Sequence, residues 1–134
     1  MNNTKITAIA EIGQYAYKTQ IFSGGHVIYA DEPENLGGTD EAMQPASLLL
    51  ASLGSCTVIT LRMYANRKQY DLQHIKVELT LEDDNMATAL TNITRKITFT
   101  GNLSNEEHAR LMQIAEKCPI HKILSNPIQI TTTS

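Results

Sequence analysis

The chain has 134 residues, 42% of them hydrophobic and 19% charged, and a formal net charge of −3 from 11 Lys and Arg against 14 Asp and Glu. That length suits a single domain over residues 1–134 with its own core, and the composition excludes a disordered chain. With no basic cluster a nucleic-acid partner is not expected, and with no apolar run read as long enough to span a bilayer neither is a membrane.

The opening MNNTKITAIAEIG lacks the basic start and continuous apolar core of a signal peptide, which predicts a cytoplasmic protein with both cysteines reduced at rest. Residues 4–12 and 15–22 are β-type segments parted by Gly13 and Gln14, and HVIYA, after the turn Gly24-Gly25, reads as a third strand. The stretch 31–44, rich in Gly and acids and holding Pro33, reads as a surface loop. Pro45 suits a first helical turn, where its missing N–H had no partner, and the residues after it are apolar on nearly every face through Ala65. A helix over 46–68 follows, with Arg67 and Lys68 at the negative end of its dipole. Such a helix is expected to be buried on more than one side, and one small sheet covers only one. A homodimer in which two such helices share a core is therefore predicted, the alternative being a monomer that wraps both its helices in its own two sheets.

Ile75, Val77, Leu79 and Leu81 then alternate with Lys76, Glu78, Thr80 and Glu82, as in a half-buried strand. A second strand is read over 92–101, with the acidic turn EDDN helping to join the two. Ser104 and Glu107 form a capping box ahead of a helix carrying Leu111, Ile114 and Ala115, which stops near Cys118 because Pro119 disfavours helical geometry in the residue before it. IHKILS adds a turn or two, and PIQITTT reads as a closing strand. The order is βββαββααβ, an α+β chain without internal repeats.

Two cysteines are too few for a disulfide scaffold. Cys56, inside the apolar segment, is either a small hydrophobe filling a gap or a reactive thiol. A nucleophile must be thiolate, and the ordinary pKa of about 8.5 leaves little of it at neutral pH. The helix dipole acts mainly over the first turn, and Cys56 lies about three turns in, so a cation or hydrogen-bond donor is needed beside it. Candidates are Arg62, His26 and His121. Arg62 points away from the Cys56 face and is expected to pair with an acid elsewhere or across a dimer interface. His26 reads as either structural or part of a site; Asp31 and Glu32 either orient it or are solvated loop charges. Cys118 stands at a helix end with His121 three positions on. If the fold joins the two cysteines, a sulfenic acid on Cys56 can condense with Cys118, and a second dithiol can reduce the disulfide; otherwise they are unrelated. A zinc set of Cys56, Cys118, His121 and His26 lacks any Cys-x-x-Cys pair, so no metal is expected.

SLLLASLGSCTVITLRMYANRK resembles the central cysteine helix of the OsmC/Ohr family, the osmotically inducible and organic hydroperoxide resistance proteins, and CPIHKIL resembles its second cysteine motif. GGHVIYADEPENLGG resembles a subgroup described as OsmC-like redox proteins, and the likeness runs over nearly the whole chain. It implies an OsmC-like α+β fold, two curved sheets packed around central helices in an intertwined homodimer, with active sites at the subunit interface. It further implies a thiol peroxidase in which Cys56 attacks the O–O bond of an organic hydroperoxide, or of hydrogen peroxide, and Cys118 resolves the sulfenic acid. A lipoyl-type or thioredoxin-like dithiol would be the reductant, with no cofactor. Two positions depart from the pattern. Ala46 and Ser47 stand where the peroxidase branches carry a glutamate, and no arginine precedes Arg62 where those branches use one. Both changes remove charges that would polarise the attacking sulfur and the leaving oxygen. His26 is a candidate replacement for the cation. The alternative is a non-catalytic protein of the same fold that binds a small molecule or senses oxidants.

Overall fold

The computed structural model describes residues 5–82 and 90–134, so the expected acidic turn EDDN lies outside the described residues apart from Glu82. Two compact units divide the chain, Met1–Leu49 and Leu50–Ser134.

In the first unit, β1 (Ile9–Glu11), β2 (Thr19–Ser23) and β3 (His26–Ala30) form an antiparallel sheet in that order. Ser23 pairs with His26 across Gly24 and Gly25, whose φ angles are 58° and 80°. Two consecutive left-handed residues match the twist of a tight hairpin, and glycine adopts them without steric cost. The first two strands are shorter than the sequence predicts: Ala16 takes a φ of 56°, which breaks the extended run, and β2 starts only at Thr19. The 31–44 loop contains one 3-10 turn, Glu34–Leu36. Asp31 is 1% exposed at its start, so it is not the solvated charge that was one expectation for it. Its carboxylate accepts the Glu32 N–H at 2.7 Å, the Thr39 hydroxyl at 2.6 Å and the Glu41 N–H at 3.2 Å, and thereby ties the loop together.

α1 (Pro45–Lys68) has the predicted bounds. Leu53, Thr57, Leu61, Tyr64 and Ala65 form its buried stripe at helical spacing, whereas Ile59 and Met63 are 52% and 67% exposed. Among the described residues of one chain the helix is thus covered on one face; the wider burial expected of it included cover by a second copy. Its length and a mean hydropathy of 1.5 over 18 residues would also suffice to cross a membrane, contrary to the reading of the sequence; Leu61 and Ala65 are nevertheless wholly enclosed in protein.

β4 (Leu72–Glu82) and β5 (Asn92–Gly101) form a separate antiparallel pair, close to the expected spans. Their inward residues, Ile75 and Leu79 from one and Ile97 and Phe99 from the other, are half-buried and alternate with exposed ones. At Gly54 a Cβ would stand 2.8 Å from Leu79 Cδ1, so the missing side chain lets α1 lie close on β4. α2 (Asn105–Ala115) opens on the predicted capping box, with the Glu107 N–H donating to Ser104 Oγ at 3.1 Å and the Ser104 N–H to Glu107 Oε1 at 3.0 Å. Leu111, Ile114 and Ala115 join Leu61, Tyr64, Ala65 and Leu72 in one core.

α2 ends at Ala115, three residues before Cys118, and α3 (Pro119–Leu124) follows. The closing strand is absent: residues 127–133 are described and form no strand. A strand needs a ladder partner, and no described strand pairs with this segment, whose Pro127 also lacks an N–H. Ile128 and Ile130 stay 55% and 83% exposed. Among the described residues the order is βββαββαα, an α+β fold with two sheets and three α-helices.

Candidate functional site

Pro119 fixes the place of the second sulfur. The residue before a proline is pushed out of helical geometry, and Cys118 takes φ −58° and ψ 127°; Pro119 then opens α3 at a position whose N–H has no intrahelical partner. Cys118 becomes the cap of α3, and its Sγ accepts the His121 N–H at 3.4 Å. The Ile120 N–H and the Thr57 hydroxyl stand near enough to the same sulfur to lower its pKa. So does the thiol of Cys56, half-buried on α1, which also meets the Ile120 N–H and the Thr60 hydroxyl. The fold therefore joins two cysteines from distant parts of the chain.

Their electrostatics run opposite to the expectation that Cys56 is the readily ionised member. Burial pushes the Cys56 thiol above its ordinary value, and the hydrogen bond it donates to Cys118 raises it further. Burial pushes Cys118 upward too, but the bonds from Cys56, the His121 and Ile120 N–H groups and Thr57 outweigh it, and its pKa falls below the ordinary thiol range. Donors converge on Cys118, so the pair's negative charge settles there first. Exposure runs the other way: Cys118 is 0% exposed, and Cys56 is the sulfur that solvent can approach.

Beside this pair stands Arg95, not singled out from the sequence. Its side chain is 10% exposed. Nη1 donates to Thr57 Oγ1 at 2.9 Å and to the Ala115 carbonyl at 3.3 Å, while Nη2 donates to Glu116 Oε2 at 2.9 Å and lies 3.4 Å from His121 Nδ1. His121 Nε2 is 3.3 Å from Glu116 Oε1. These contacts fit the Nε2–H tautomer, with Nδ1 accepting from the guanidinium and Nε2 donating to the carboxylate. Thr57 Oγ1 also donates to the Leu53 carbonyl at 2.6 Å. A cleft of about 520 Å³ opens here, lined by Arg95, Glu116 and His121 on its polar side and by Leu53, Ile93 and Leu124 on its apolar side. A signal for Arg95 existed: it occupies an inward position of β5, between Ile93 and Ile97, where a charge demands partners.

The other candidates are placed as follows. His121 lines the cleft and supplies its N–H to Cys118. Arg62 turns from the Cys56 face as expected, but its partners are the Leu72 carbonyl at 2.6 Å and Asn66 Oδ1 at 3.4 Å rather than an acid. His26 is exposed at the head of β3, Glu32 is half-buried in the loop, and Ser47 is half-buried in the first turn of α1; with Asp31 these belong to the first unit. Among the described residues no three His, Cys, Asp or Glu side chains gather as a metal-binding group.

A family model described as OsmC-like protein matches residues 38–133. No curated protein matches the sequence. Among solved structures, an OsmC like protein from Mycoplasma pneumoniae is similar over 92% of this chain and 89% of its own, with a TM-score of 0.78 at 18% identity. An organic hydroperoxide resistance protein OsmC from Legionella pneumophila, also described as a predicted redox protein and regulator of sulfide bond formation, is similar over 92% and 91%, with a TM-score of 0.66 at 21% identity. An organic hydroperoxide resistance protein from Elizabethkingia anophelis is similar over 91% and 89%, with a TM-score of 0.67 at 17% identity. These likenesses establish the fold.

Proposed function

The chain belongs to the OsmC-like family, and from that premise we propose that it is a two-cysteine thiol peroxidase that reduces organic hydroperoxides, with Cys56 as nucleophile and Cys118 as resolving thiol. The observation that carries this reading is that two thiols from distant parts of the chain stand close enough to act on each other, with the His121 N–H donating to the Cys118 sulfur at 3.4 Å. The more accessible sulfur is the one that meets the peroxide, and the enclosed sulfur holds the charge. Transfer of the Cys56 proton along the shared bond leaves a thiolate on Cys56 and a thiol on Cys118. The Cys56 thiolate attacks one peroxide oxygen; an S–O bond forms, the O–O bond breaks, and the departing alkoxide takes the proton from Cys118 to leave as alcohol. Cys118, thiolate again, attacks the sulfenic sulfur. The S–S bond forms, the S–O bond breaks, and hydroxide leaves and is protonated to water. A dithiol of the lipoyl or thioredoxin type restores both thiols by exchange. The exposed apolar face of α1 supports a homodimer as the working form.

Intact mass of the reduced protein after one equivalent of cumene hydroperoxide tests the proposal. The expected result is loss of two hydrogens, abolished in Cys56→Ser, with one oxygen gained instead in Cys118→Ser. No change in mass with either cumene hydroperoxide or hydrogen peroxide overturns it. The raised pKa of Cys56 favours a second reading, a slow oxidant sensor or small-molecule binder, and that reading predicts oxidation only under prolonged excess peroxide.

A further inference from the structure

Glu116 stands where the local physics disfavours an acid. It caps the C-terminus of α2, the negative end of the helix dipole, and its side chain is 63% exposed. The polar wall of the cleft is what holds its carboxylate: Oε2 accepts from Arg95 Nη2 at 2.9 Å, and Oε1 lies 3.3 Å from His121 Nε2. Arg95 is the buried member of this group, its side chain 10% exposed and its Nη1 taken by Thr57 Oγ1 and the Ala115 carbonyl.

A guanidinium beside an imidazole N–H, at the edge of an apolar cleft, makes a fork that suits a carboxylate. The chain's own Glu116 fills that fork. Arg95 and Glu116 are the two opposite fixed charges among the described residues lining the cleft, and they cancel. A ligand carboxylate entering here meets Glu116 as a like charge and finds Arg95 Nη2 already engaged. A hydroxyl or hydroperoxyl head meets no such repulsion, and the Thr91 and Ser125 side chains, which also line the cleft, offer it neutral donors and acceptors. Leu53, Ile93 and Leu124 supply the apolar wall, and the volume of about 520 Å³ falls within the roughly 300–1,000 Å³ of small-molecule sites. The cleft adjoins the sulfurs, since His121 lines it and donates its backbone N–H to Cys118 Sγ at 3.4 Å.

We propose that this cleft binds an uncharged amphiphile, an apolar body ending in one hydroxyl-type group, and that Glu116 sets the preference by occupying the place on Arg95 and His121 that a ligand's carboxylate would take. That the ligand is a hydroperoxide rests on the peroxidase reading above; the preference for neutral over anionic heads rests on the cleft alone. With both, the substrates are neutral alkyl or aryl hydroperoxides, and hydroperoxides that carry a carboxylate are turned away.

The experiment follows backbone amide signals of the reduced protein by NMR during titration with 1-octanol and with octanoate, unreactive probes of one chain length that differ in charge. In wild type, octanol is expected to shift the signals of Leu53, Ile93 and His121, and octanoate to bind about tenfold more weakly. Glu116→Ala vacates the fork, and Glu116→Gln keeps its shape without its charge. Both variants are expected to bind octanoate about tenfold more tightly than wild type does, while octanol affinity changes by less than about twofold. Adding Arg95→Met to Glu116→Ala should abolish the gain for octanoate, because the wall then holds no fixed cation. Glu116 is an exposed side chain, so if the double variant does not fold the two single variants decide. Octanoate bound by wild type as tightly as octanol, octanol not bound at all, or no gain for octanoate in Glu116→Gln each overturns the proposal. A protein that binds octanol with this charge preference but is inert to hydroperoxides leaves the inference standing and removes the peroxidase; oxidation by cumene hydroperoxide without the preference does the reverse.

Discussion

Asp31 and Arg95 are both charged groups largely taken out of water, and each is held by the same device: both carboxylate oxygens of Asp31 and both terminal nitrogens of Arg95 find partners. For Asp31 the Thr39 hydroxyl bond holds the carboxyl below the usual carboxylate range; burial opposes that shift, and the Glu32 and Glu41 N–H groups reinforce it. Because the folded-state value lies below the unfolded one, the carboxylate contributes stability at pH above the unfolded value, and that contribution is lost as pH falls through the folded value. Asp31→Asn, which offers one acceptor oxygen in place of two, is expected to melt below wild type at neutral pH. The gap should close in acid, as thermal melts across pH will register. A gap independent of pH would remove the carboxylate from the account. The two cysteines were legible in the sequence because their neighbourhoods differ from generic core, and the residues around them were not. Asp31 reads as loop acid until Thr39 and the Glu41 N–H are seen to converge on it. Thr57 reads as one more residue on an apolar helix.

Among the elements, those that carry their own signal in consecutive residues were read correctly. The strict alternation from Ile75 to Glu82 gave β4, and the Ser104 and Glu107 pair gave the start of α2. Ser104→Ala removes the hydroxyl that satisfies the Glu107 N–H, which is expected to cost about 1 kcal/mol. The melting temperature should fall by about 4 °C for a chain of this size; an undiminished melting temperature would show the cap to be idle. Elements whose existence depends on something distant were misread. The segment 127–133 has strand composition, but a strand exists only against a partner. β2 was shortened by a left-handed residue at Ala16, a position where nothing in the local sequence demands one. The exit from α2 was displaced for a related reason: Pro119 constrains the residue before it, but how far back the helix unwinds depends on where Cys118 must cap.

At the scale of the whole molecule, the outer face of α1 has no apolar cover among the described residues. Ile59 and Met63 on α1 are more than half exposed, as are Ile128 and Ile130 in the tail. If two copies share this surface, sedimentation of the wild type will give twice the mass of one chain, and Ile59→Lys, which places a charge there, will sediment as a single chain. A wild type that sediments as one chain at micromolar concentration ends the dimer reading without touching the thiol chemistry. Pro119 has a consequence for the molecule as a whole. By interrupting the backbone between α2 and α3, it uncouples the bearing of the Cys118 sulfur from the helical phase of α2. Residues along α2 can drift, and its core contacts can be rebuilt, without swinging the sulfur around the axis. One five-membered ring thus insulates the two sulfurs from the evolution of the scaffold beside them.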